Sequence, residues 1–105
     1  MRCRKCTPVP EEVRRAADLL ERRWTLQVLY ASSSGATRFN EFLEALGRIP
    51  PTTLSSRLAE LEQAGVLVRV VVDSRPPHVE YRLTERGAKL QQLVRALRAW
   101  AGAGA

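Results

Sequence analysis

The stretch from Pro50 to Asp73 admits few folds, because within it the period of the apolar residues switches from helical to strand-like. Leu54, Leu58 and Leu61 recur at helical spacing and stop at Gly65, after which VLVRVVVD is a bounded, β-branched run. Pro50 and Pro51 cannot continue a helix but can open one, since proline in the first turn gives up only an amide that has no helical partner. A helix from Pro51 to Gly65 that runs directly into a strand is expected, and the other elements must be arranged around it.

Upstream, Val13, Ala16, Ala17 and Leu20 predict a first helix over about residues 10–22, with Glu11 and Glu12 where the helix dipole favours negative charge. Trp24, Val28 and Leu29 give a short second helix ended by SSSG at 32–35. Phe39, Phe42, Leu43 and Leu46 give a brief third helix stopped at Gly47. Downstream, VEYRL alternates like a strand after the SRPPH interruption, so two antiparallel strands joined by a Pro-rich loop are predicted. Thr84 can cap one long last helix in which Leu90, Leu93, Val94, Leu97 and Trp100 form a stripe. The fold class is mainly α with a small β-hairpin. It is the winged helix-turn-helix arrangement, a single domain over 10–101 between a tail at 1–9 and another at 102–105.

The formal net charge is +6, and of 17 cationic side chains all but Lys5 and Lys89 are arginine. Such a balance favours polyanionic partners. No apolar run reaches the length of a membrane span, and MRCRKC has no apolar segment of a secretory signal behind it, so a cytoplasmic protein without a membrane partner is expected. No catalytic set can be assembled from one histidine, no glycine-rich phosphate loop and no paired carboxylates, and no cofactor or enzymatic activity is expected.

On the fourth helix Leu54, Leu58 and Leu61 share one side, while Thr52, Ser56, Ala59 and Gln63 lie roughly opposite, with Thr53 and Ser55 beside them. Small hydroxyl residues let a backbone approach base edges closely, and the amides of a helix start favour phosphate oxygens. Hydroxyls near a helix start are also ordinary solvated residues. The neighbours favour double-stranded DNA: a short amphipathic helix before, a basic hairpin after, and Arg38, Arg57 and Arg75 placed to reach phosphates, with His78 beside Arg75 in the loop. Glu60 and Glu62, repelled by phosphates, confine the reading part to the first two turns.

The segments DLLERRWTLQVLYAS, TRFNEFLEAL, IPPTTLSSRLAELEQAGVLVR and PPHVEYRLTERG together resemble the HxlR family of bacterial winged-helix transcription regulators over about residues 13–100. The resemblance implies a homodimer that pairs through its first and last helices and binds an inverted repeat. Val13, Leu90, Leu93, Val94, Leu97 and Trp100 would supply that interface, or the stripe would pack within one chain. Two departures stand out. The family often has Ser where Pro50 stands and a long basic or polar residue where Thr52 stands, which puts base preference in doubt. The sensor cysteine of many members falls at Glu11 here.

Cys3 and Cys6 form a CxxC pair upstream of that position, between Arg2, Arg4 and Lys5, whose charges favour the thiolate. The pair reads as inert thiols, as a disulfide switch or as half a metal site, the last disfavoured because only His78 is left to complete four ligands. The inducing small molecule or oxidant is not readable. A thiol-disulfide enzyme lacks its βαβ context. A protein-protein adaptor on the same scaffold is the remaining alternative to a DNA-binding regulator, since fold does not fix function.

Overall fold

The computed structural model describes residues 7–103. Its elements are α1 (Glu11–Leu20), α2 (Thr25–Ser33), α3 (Phe39–Leu46), α4 (Pro51–Gln63), β1 (Leu67–Val72), β2 (His78–Leu83), α5 (Glu85–Lys89) and α6 (Gln91–Ala103). The strands form a two-stranded antiparallel sheet in the register Leu67↔Leu83 to Val72↔His78. No helix among the described residues is long and apolar enough to cross a membrane.

The core is built around α2, whose Thr25, Val28, Leu29, Ala31 and Ser32 are all buried. A helix buried on most sides needs partners all round. Phe42 of α3, Leu54, Leu58 and Leu61 of α4, Val66 and Leu67 at the entry to β1, and Val94 of α6 complete the packing. The leucine stripe of α4 is thus wholly consumed by the core, which fixes the helix's rotation about its axis and turns Thr52, Ser55 and Ser56 outward.

Gly65 makes the change of period possible. At φ +78° it adopts the left-handed conformation that ends α4, and the Val66 amide donates back to the Leu61 carbonyl at 2.9 Å. Trp24, which unlike glycine carries a Cβ, also has a left-handed backbone, at φ +81° just before α2, held there with its indole packed on the core.

The last helix departs from the expected single element. α5 and α6 are separated by a tight turn at Leu90, whose amide donates to the Gly87 carbonyl at 3.0 Å. The cause lies in how α5 is seated. Thr84 caps it by accepting the Gly87 amide at 2.9 Å and donates its own hydroxyl proton to the Gly65 carbonyl. Gly87 then lies so close to Val66 that a Cβ there would stand 2.1 Å from the Val66 carbonyl oxygen. α5 is therefore pinned to the chain that leaves α4, and α6 sets off anew to cover α2.

Candidate nucleic-acid interface

α4 presents a small polar surface at its N-terminal end. Thr52, Ser55 and Ser56 are exposed and Thr53 is half-buried. The Ser56 hydroxyl donates to the Thr52 carbonyl at 3.1 Å, so its oxygen is left to accept from an outside donor. No acid stands in the first turn of this helix.

The cations predicted around that surface separate into two groups. Arg38 and Arg75 are exposed, at the N-cap of α3 and at the wing tip. The Tyr81 amide of β2 donates to the Thr37 carbonyl at 2.7 Å, which moors the start of α3, and with it Arg38, to the flank of the wing. Arg57, in contrast, is turned inward. Its Nε donates to the Arg23 carbonyl at 2.8 Å, and its Nη1 lies 3.1 Å from both carboxylate oxygens of Glu60. Only 17% of its side chain is exposed, so the expectation that Arg57 reaches a phosphate is corrected to a bracing role.

Glu60 also pairs with Arg22, at the turn leaving α1. Two arginines neutralise that carboxylate. Its negative charge is therefore more fully compensated than the bare sequence implies, whereas Glu62 stays exposed.

His78 is likewise corrected from a presented side chain to part of the wing's frame. Its Nδ1 lies 3.1 Å from the Ser74 hydroxyl and its Nε2 2.8 Å from Glu80, whose other oxygen accepts from Arg82 Nε at 2.9 Å. The hydrogen bond from His78, then that from Arg82, hold the Glu80 carboxyl below the ordinary glutamate value. Glu41, three residues into α3, accepts the Thr37 and Arg38 amides at 2.9 Å each. These bonds, the Thr37 amide foremost, lower its pKa too, so the N-terminus of α3 is closed by a permanent negative charge at neutral pH.

The stripe assigned to pairing divides as well. Val94 is 3% exposed and is corrected to an intramolecular position, whereas Leu90 is half-buried, packed in part on the protomer's own core. Val13, Leu93, Leu97 and Trp100 are exposed, Trp100 at 75%. No residue of α1 is fully buried, and only its C-terminal Leu19 and Leu20 pack on the core.

An exposed hydroxyl face on the helix after a tight turn, followed by a basic β-wing, is the architecture of winged helix-turn-helix regulators. The description "HxlR-like helix-turn-helix" matches residues 19–104. The chain belongs to this family. YvaP of Bacillus subtilis (strain 168), an HTH-type transcriptional regulator, is 36% identical over 87 residues, 83% of this chain and 81% of YvaP. Three mycobacterial HTH-type regulators at 43% identity are longer, and this chain spans 56% of each. The reduced form of the transcriptional regulator YodB from B. subtilis superposes with a TM-score of 0.79 at 34% identity, covering 90% of this chain and 92% of YodB. The redox regulator HypR in its oxidized form gives 0.80 at 34% identity, covering 88% and 95%.

For this HxlR-type chain, Cys3 and Cys6 lie outside the described residues. Arg23 and Arg48, which sequence reasoning did not single out, are both exposed and line a cleft with Pro50 and Thr53 at the start of α4. The available signal was Arg48 standing two residues before the Pro50-Pro51 helix start. Arg23 could not have been found that way, because it is brought there by the fold.

Proposed function

We propose that this chain is a sequence-specific DNA-binding transcription regulator acting as a homodimer on an inverted repeat. Thr52, Thr53, Ser55 and Ser56 enter the major groove, and Arg75 and Arg38 hold the flanking backbone. The observation that carries this reading is the outward hydroxyl face of α4, held in rotation by three buried leucines and lying between exposed cations. Pairing runs through α1 and the outward side of α6, with Val13, Leu93, Leu97 and Trp100 in the seam. A two-fold dimer of this kind places its two reading helices about 34 Å apart, one turn of DNA.

The second part of the proposal is a response to oxidant through Cys3 and Cys6. Each thiol gives up a proton and an electron to the oxidant as the disulfide forms. The likeness to HypR, named a redox regulator, supports it. Selection from random duplex DNA, with and without diamide as the oxidant, tests both parts. The expected result is an enriched inverted repeat whose binding changes on oxidation and no longer does so after Cys3→Ser with Cys6→Ser. Recovery of no inverted repeat sinks the first part. An unchanged response in the double variant sinks the second.

A further inference from the structure

A cleft opens beside the first turn of α4, lined by Arg23, Trp24, Arg48, Pro50, Thr53 and Arg57. Three of the six are arginines, and none carries a carboxylate. Arg57 is committed to Glu60 and to the Arg23 carbonyl. Arg23 and Arg48 are exposed and form no ion pair among the described residues. The Arg23 guanidinium carbon lies 5.4 Å from the centre of the Trp24 ring, a cation–π contact that keeps it at the rim.

Like charges gathered around a concave surface raise one another's energy, and an anion entering between them relieves it. Two of its lining residues, Thr53 and Arg57, follow the exposed Thr52 and Ser56 in sequence, and no residue of β1 or β2 lines it. A helix that enters the major groove has a phosphate strand on either side. We propose that this cleft binds one phosphodiester of the DNA backbone, held by the guanidinium groups of Arg23 and Arg48, as a contact separate from that of the wing.

A guanidinium fork matches two phosphate oxygens, and the Thr53 hydroxyl supplies a further donor at the same opening. Arg57 is a positioning residue, since its bond to the Arg23 carbonyl ties the rim to α4. The inference rests on the DNA-binding reading above.

The test uses the selected duplex and measures affinity between about 50 and 200 mM salt. Because a dimer holds two copies of the cleft, Arg48→Ala is expected to make the log–log salt slope shallower by about 2 and to weaken low-salt binding roughly tenfold or more, with base preference unchanged. Arg23→Gln and Arg48→Gln repeat the measurement with little loss of side-chain volume, and a thermal melt shows each variant folded. A neutral methylphosphonate at one backbone position per half-site should weaken binding of the unmodified protein and add nothing to the double variant Arg23→Gln with Arg48→Gln.

Unchanged slopes in the Arg23 and Arg48 variants, while Arg75→Ala and Ser56→Ala still act, overturn the cleft and leave the DNA reading standing. If those two variants are silent as well, or no duplex is selected, the DNA reading fails and the cleft with it. Tight binding of inorganic phosphate to the DNA-free protein, with no methylphosphonate effect, makes the cleft a small-anion site and also overturns the proposal.

Discussion

Gly87 shows how one missing side chain fixes the path of the C-terminal third. A Cβ at this position would meet the Val66 carbonyl oxygen at 2.1 Å, a backbone atom with no room to retreat because it also accepts the Thr84 amide at 3.0 Å. Gly87→Ala is therefore expected to destabilise the fold by about 2–4 kcal/mol, although alanine is the better helix former. Gly102, also helical and with nothing within 4 Å of its would-be Cβ, is the control. Gly102→Ala should be neutral or slightly stabilising, by less than about 1 kcal/mol. Urea denaturation separates the two: a lowered midpoint at unchanged slope for the first and none for the second. Equal midpoints would mean that α5 is not pinned as described.

At the scale of elements, two carboxylates hold the parts that flank α4, and both do so more strongly when ionised. Glu41 closes the start of α3 and Glu80 joins His78 to Arg82 in the wing. Their folded pKa values lie below the ordinary value, so each contributes stability that is fully present above the unfolded pKa of about 4.3 and is lost as pH falls through the lower folded value. Stability should thus decline below about pH 4. Glu41→Gln and Glu80→Gln should each flatten that decline while lowering stability at pH 7, as acid titration of the melting temperature would show; an unaltered acid limb would remove these groups from the account. Much of this level was legible in the sequence: the leucine stripe of α4, the Gly65 stop, the β-branched run and the Thr84 cap each signal locally. The central place of α2 was not, because a helix buried on most sides lacks a polar stripe to reveal its period. Nor was the break at Leu90, since the apolar stripe runs across it and its cause, Gly87 against Val66, is a contact between residues 21 apart in sequence. For the same reason Arg57 and His78 read as presented cations: composition supplies the charge, but Glu60 and Glu80 decide which way each side chain turns.

For the molecule as a whole, α6 divides into an inward side that serves the core and an outward side that the proposed dimer would use. Val94 serves the core, whereas Leu93 at 44%, Leu97 at 38% and Trp100 at 75% exposure are left for contact beyond the protomer, as is Val13 on α1 at 49%. A two-fold interface counts each substitution twice, because the same patch occurs on both sides of the axis. Removal of an aromatic anchor from such a patch costs on the order of 2 kcal/mol per copy, so Trp100→Ala should raise the dimer dissociation constant by roughly a thousandfold. The protomer should keep its melting temperature at concentrations where both forms are monomeric. Val94→Ala should do the reverse, opening a core cavity at a cost of about 1–3 kcal/mol with dimerisation affected only through unfolding. DNA binding then follows by mass action. On the proposed reading an inverted repeat binds the dimer, so Trp100→Ala should lose affinity at nanomolar protein and recover it as protein concentration approaches the new dissociation constant, whereas Ser56→Ala should shift base preference at every concentration. Sedimentation velocity and duplex binding across a protein dilution series measure both terms. A variant that stays dimeric on dilution, or DNA affinity that does not recover with protein concentration, would show that the exposed side of α6 is not the seam.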